Sequence, residues 1–137
     1  MLYTFISQAQ LLIIGQVLLS ILLGAILGLQ RERWGKSAGP RTYALVCAGS
    51  ALFTILSRGY FVNNSAVAST IVSGIGFLGA GTILHKENRI EGLTTAAGLW
   101  IVAAIGMAVG VGEFLVATII SLIVLVVLML NDKSLKK

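Results

Sequence analysis

Charged residues fall in clusters along this chain, and between the clusters run uncharged, strongly apolar stretches. The clusters occupy residues 31–41, 85–91 and 132–137, while Arg58 and Glu113 stand alone. The stretches between them, 8–30, 42–57, 67–84, 92–112 and 114–130, predict five helices. Each is about the length that crosses a hydrocarbon core of roughly 30 Å as a helix. The second is the shortest, so its ends are the hardest to place. The pattern predicts an all-α integral membrane protein: a single tight bundle of five transmembrane helices without linkers.

Within the helices, small residues recur at helical spacing. Ser69, Ser73, Gly76 and Ala80 form one stripe in the third helix, opposed by bulky Ile71, Ile75 and Leu78. The first helix carries Ser20, Gly24 and Gly28, and the fourth carries Ala96, Ala103, Gly106 and Gly110. In lipid, helices associate by close backbone approach rather than by hydrophobic burial, and small faces permit that approach. Gly24, Gly28, Ser73, Gly74, Gly76, Gly79, Gly81, Gly106 and Gly110 are therefore the candidate packing residues, and the third helix is expected at the centre of the bundle.

The glycines of "SGIGFLGAG", residues 73–81, also match the G-x-G-x-x-G spacing of dinucleotide-binding loops. That fingerprint needs a preceding strand, a following helix and an acidic ribose partner about twenty residues on. Here the run lies inside an apolar helix and the only Asp is Asp132. Packing is the better use of these glycines.

Composition agrees with a lipid solvent. Hydrophobic residues make up 57% of the 137, against roughly 45–50% apolar in ordinary globular chains. The first ten residues lack a basic region and no small-residue cleavage site follows, so the first helix is expected to be retained rather than removed as a signal peptide. Charge then sets orientation. With five spans, Arg31, Arg33, Lys36, Arg41, Lys86, Arg89, Lys133, Lys136 and Lys137 share one side and Arg58 lies opposite. The positive-inside rule places the N-terminus outside and the C-terminus in the cytoplasm. The net charge of +5 thus reports topology and contact with the bilayer's anionic lipid, not a nucleic-acid partner.

Catalysis finds little to work with. One His, one Cys and five carboxylates supply neither a metal cluster nor a triad, so no enzyme and no cofactor are expected. Cys47 reads as a small buried thiol, His85 as a loop residue and Glu113 as a solvated carboxylate. No ionisable group lies near the middle of a span, which disfavours a cation route. Polar side chains such as Gln16, Ser73, Thr82, Thr94 and Thr95 are what such a route would have to use. The richest chemistry is "GLQRERWGKSAGPRT", residues 28–42, with Arg31, Glu32, Arg41 and Thr42 as candidate functional residues. Its charges either set topology alone or offer a surface for phosphate head groups or a partner protein.

That loop, followed by "GSALF", "VSGIGFLGAG", "GLTTAAGLW" and "AAIGMAVG", resembles the membrane domain of the MgtC/SapB family in order and spacing. The resemblance covers nearly the whole chain. It implies a bacterial inner-membrane protein of five helices, associated with magnesium limitation and, in some members, with survival inside host cells, acting as a regulator. It matches Arg31, Ala38, Gly39, Arg41 and Thr42 to the first loop of the family. Gly74, Gly76, Phe77, Gly79 and Gly81 match the third helix, and Gly92, Leu93, Thr94, Thr95, Ala96 and Trp100 match the fourth. This chain departs from the family at Gln30 and Asn63, where carboxylates are usual, at Ala66, where Arg is usual, and at Thr70, where Gln is common. The two lost carboxylates weaken any cation site. Many members also carry a soluble cytoplasmic domain, which this chain is expected to lack.

The leading expectation is a membrane regulator of magnesium or envelope-stress physiology. It would act by helix-to-helix contact with itself, as a homodimer or other homo-oligomer, or with another membrane protein. The alternative is a cation pathway, for magnesium or another ion, formed by an oligomer around Thr94 and Thr95.

Overall fold

The computed structural model describes residues 7–60 and 64–130. The departure noted at Asn63 and the basic tail with Lys133, Lys136 and Lys137 lie outside these residues. Five helices and one short hairpin follow in the order α1 (Gln8–Arg33), α2 (Pro40–Tyr60), α3 (Asn64–Ala80), β1 (Leu84–Lys86), β2 (Arg89–Glu91), α4 (Leu93–Val111) and α5 (Phe114–Met129). α1 and α4 are each long and apolar enough to cross a membrane. α3 and α5 are apolar but shorter, at 17 and 16 residues.

Local chemistry fixes the ends. Ser7 and Gln10 form a reciprocal capping box at the start of α1, the Ser7 hydroxyl accepting from the Gln10 N–H and the Ser7 N–H donating to Gln10 Oε1. At the other end of α1, the N–H groups of Trp34 and Lys36 both donate to the Arg31 carbonyl. The chain thereby turns back over the helix end and satisfies carbonyls that would otherwise be orphaned. α2 then begins on Pro40, whose fixed φ suits a first helical turn.

α4 packs on all four other helices, and its closest partner, α2, lies against both α1 and α4. A Cβ at Gly24 would stand 2.5 Å from the Tyr43 carbonyl oxygen, and one at Gly28 would strike the backbone of Gly39 and Pro40. From α4, a Cβ at Gly106 would strike the Cys47 carbonyl, and one at Gly110 would stand 2.7 Å from the Ala51 oxygen. The small faces of α1 and α4 thus grip the same helix. α2 answers with a small face of its own, Ala44, Cys47, Ala48 and Ala51, all buried. Leu27, Leu99, Val102, Ile105 and Val109 fill the remaining core. α5 closes the outside against α1 and α4.

The position of α3 corrects the expectation drawn from its glycines. It lies at the periphery, against α4 and, more lightly, α2. Ile71 and Ile75 turn inward, whereas Ser69, Ser73, Gly76 and Ala80 all face out. The reason lies in α4, which presents Ala103 and Ala104 between Trp100 and Met107 on this side, so the isoleucines reach toward it across a groove, and close small-on-small contact is confined to Gly79 on Ala96.

Hydroxyls along the helices return their hydrogen to the carbonyl four residues earlier, as Ser20 does to Gln16, Thr54 to Ser50 and Ser121 to Ala117. This satisfies polar groups inside the segment, as an apolar solvent requires. Leucines, isoleucines and valines cover the outer surface, among them Leu18, Leu22, Leu115 and Val126. So large an apolar exterior identifies a membrane protein.

Candidate functional site

Successive helices run in alternating directions, which sets α2 parallel to α4 and gives the bundle two chemically distinct ends. At one, the Arg58 guanidinium donates to the Val111 carbonyl at 2.6 Å and complements the C-terminus of α4. At the other lie the end of α1, the loop after it, the hairpin and the first turn of α4. These border an open cavity of about 650 Å³.

Arg31 forms part of its wall and is only 2% exposed. Its Nη2 donates to the Thr95 hydroxyl at 3.3 Å, while Nε has no partner. Among the described residues no carboxylate lies within ion-pair distance of it. A guanidinium stays charged at any accessible pH, and a buried charge usually carries its counter-charge with it. Among the described residues, Arg31 is thus a buried cation with only neutral partners, the Thr95 hydroxyl and the nearby phenol of Tyr43.

The rest of the wall is also basic. Lys36 and Arg89 border the cavity, with Thr82, Thr94 and Glu91. Glu91 is held by Lys86 Nζ at 2.8 Å, from the facing strand, and by Arg89 Nη2 at 2.6 Å, two residues earlier on its own strand. The Lys86 hydrogen bond, aided by the charges of Arg89 and Lys36, keeps its carboxyl below the usual carboxylate range. The hairpin pairs Leu84 with Glu91, His85 with Ile90 and Lys86 with Arg89. It closes onto α4 through Gly92, whose φ of +91° and close approach to the Thr82 carbonyl both exclude a side chain. Gly92 offers no side-chain cap, so the first N–H groups of α4 face this wall without one.

The candidate residues therefore divide. Arg31 and Thr95, singled out for different reasons, meet in one contact, and Thr94 lines the same cavity. Arg41 and Thr42 lie exposed on the first turn of α2 and Glu32 is exposed near the end of α1; none of the three lines the cavity. Gly24, Gly28, Gly106 and Gly110 face α2, and Gly79 faces Ala96 of α4. Gly81 meets only the last carbonyls of its own helix, and Gly74 and Gly76 open onto empty space beside exposed Ser73. Cys47 is buried against α4, while His85 and Glu113 are exposed. Lys36, Arg89 and Thr82 were legible only as loop charge or polar lining, and the hairpin that gathers them was not foreseen. Among the described residues no three of His, Cys, Asp and Glu converge as a metal site.

Two further amides join the helices. Gln16 Nε2 donates to the Val109 carbonyl at 2.8 Å, and Gln30 Nε2 to that of Leu128 at 2.6 Å. Gln30, one of the departures from the family pattern, acts here as a donor, which an ionised carboxylate could not do.

The sequence profile of the MgtC family matches residues 17–136. The chain is 46% identical over 110 residues to Protein MgtC of Salmonella typhimurium strain LT2, covering 77% of this chain and 48% of that protein. It is 45% identical over 112 residues to an Escherichia coli K12 protein named "Putative magnesium transporter YhiD", covering 74% of this chain and 52% of that one. To Protein SrpB of Synechococcus elongatus it is 42% identical over 113 residues, 71% of this chain and 62% of the relative. The chain thus spans about half the length of the curated relatives it matches. No solved structure matches it significantly.

Proposed function

Because the chain belongs to the MgtC family, we propose that it is a multi-pass protein of the bacterial inner membrane that regulates adaptation to magnesium limitation through helix-to-helix contact, with no reaction of its own. All five helices cross, with the N-terminus outside and the C-terminus in the cytoplasm. Supporting this orientation, Arg31, Lys36 and Arg89 share one end of the bundle and Arg58 lies at the other.

The observation that carries the reading is the outward face of α3. Gly24 and Gly28 of α1 and Gly106 and Gly110 of α4 are occupied by α2, but Ser69, Ser73, Gly76 and Ala80 of α3 are exposed and covered by none of the described residues. Beside them Phe77 is 84% exposed. An apolar groove of about 310 Å³, lined by Ile75, Trp100 and Met107 among others, runs between α3 and α4. A small-residue face next to a groove is the surface a second helix packs against in lipid. A second copy of the chain is the occupant we favour, and another membrane protein is the alternative.

A cation pathway is the second reading, carried by the name of one relative. Its polar residues would be Thr94 and Thr95. Arg31 opposes it, since a cation arriving at the Thr95 hydroxyl would meet a guanidinium 3.3 Å away.

Gly76→Leu tests the leading reading, because a Cβ there meets nothing within the protomer. Self-association in lipid bilayers, read by single-molecule photobleaching, should be lost while the thermal midpoint stays unchanged. Undiminished association in that variant would remove the α3 face from the account.

A further inference from the structure

We infer that the cavity at the basic end of the bundle binds a phosphate group, with the Arg31 guanidinium as its buried anchor. The cavity wall brings together three cations, Arg31, Lys36 and Arg89, and one carboxylate, Glu91. That carboxylate is already bridged to Lys86 and Arg89 and is not aimed at Arg31. Arg31 is 2% exposed and its Nε–H has no acceptor. A donor left so deep in the protein costs free energy unless something accepts from it.

The geometry of the donors selects the ligand. A guanidinium presents parallel N–H groups that match two oxygens of a phosphate, and such pairs are shorter and stronger than neutral hydrogen bonds. The first turn of α4, entered through Gly92 without a side-chain cap, turns backbone N–H groups and the positive end of a 19-residue helix toward the same space. The Thr94 hydroxyl on the same wall adds a neutral donor. A magnesium ion would find cations where it needs oxygen anions. At about 650 Å³ the cavity has room for more than the phosphate itself. The ligand is either a free phosphate or the head group of an anionic lipid at the membrane surface.

The test uses the full chain, delipidated in neutral maltoside micelles, and reads the thermal midpoint during titration. One arm adds inorganic phosphate against chloride at matched ionic strength. The other adds phosphatidylglycerol against zwitterionic phosphatidylcholine. Stabilisation by phosphate identifies a soluble ligand, and stabilisation by phosphatidylglycerol alone identifies a head group. In either case Arg31→Lys, which keeps the charge but loses the fork, should raise the half-saturating concentration at least tenfold. Arg89→Gln, at an exposed position, should weaken binding in the same direction and serves where the Arg31 variant fails to fold. No stabilisation in either arm, or stabilisation indifferent to Arg89→Gln and to any folded Arg31 variant, would overturn the inference.

Discussion

Arg31, in the last turn of α1, and Thr95, in the first turn of α4, lie 64 positions apart in sequence and 3.3 Å apart in space. Their contact ties together the two helices that clasp α2. It also determines the electrostatic character of the basic end, since Arg31 makes the neighbourhood of the fourth-helix threonines hostile to a cation. The residues that best suited a cation pathway in the sequence thus stand beside a positive charge in the fold.

The central clasp predicts a steep difference between glycines. Gly106→Ala pushes a methyl group into the Cys47 backbone, which cannot move aside as a flexible side chain would. It should lower stability by about 1–3 kcal/mol. Gly76→Ala meets open space inside a helix and should leave stability unchanged or raise it by up to about 1 kcal/mol. Denaturation midpoints of the two variants in the same micelle check this, and equal midpoints would contradict the packing described.

The hairpin should respond to acid in one direction. Because Lys86, Arg89 and Lys36 hold the Glu91 carboxyl low, its ion pairs are fully formed above the ordinary glutamate value of about 4.3. They are lost only as pH falls through the lowered folded value. Carboxyl chemical shifts of Glu91, followed by NMR together with amide exchange at Ile90, should therefore stay constant from neutral pH down to the ordinary range and change below it. A midpoint at or above that range would show that the pairs do not form.

Much of this fold was legible because apolar runs separated by charge leave little freedom for helix placement. The packing of Gly24, Gly28, Gly106 and Gly110 followed from the same logic, small residues at helical spacing. The facing of α3 did not follow. Its sequence offers two stripes, Ser69-Ser73-Gly76-Ala80 and Ile71-Ile75-Leu78, and the choice between them is made by the surface of α4, which periodicity within α3 does not contain. α2 was under-read for a related reason. Its inward face, with Ala44, Cys47, Ala51 and Thr54, dilutes the apolar signal that marks a span while giving α1 and α4 a small surface to pack on closely.

The candidate site was legible only in fragments. Arg31 stood out as loop charge and Thr95 as a helix polar residue, and nothing local joins them. Strands of three residues are too short for an alternation to register, so the pattern around Arg89 and Glu91 predicts only a charged loop where the hairpin brings both to the cavity. Gln30 appeared as the loss of a carboxylate. In the fold it is a donor to the end of α5, a role that depends on a carbonyl 98 positions away.

The central claim is that this protein acts by contact within the membrane and not by conduction. Magnesium uptake into proteoliposomes tests it most directly, using the purified full chain, with empty vesicles and an ionophore as controls. Folded, self-associated protein should give uptake no faster than empty vesicles. Saturable uptake that Thr95→Val abolishes would contradict the account and establish a pathway past Arg31.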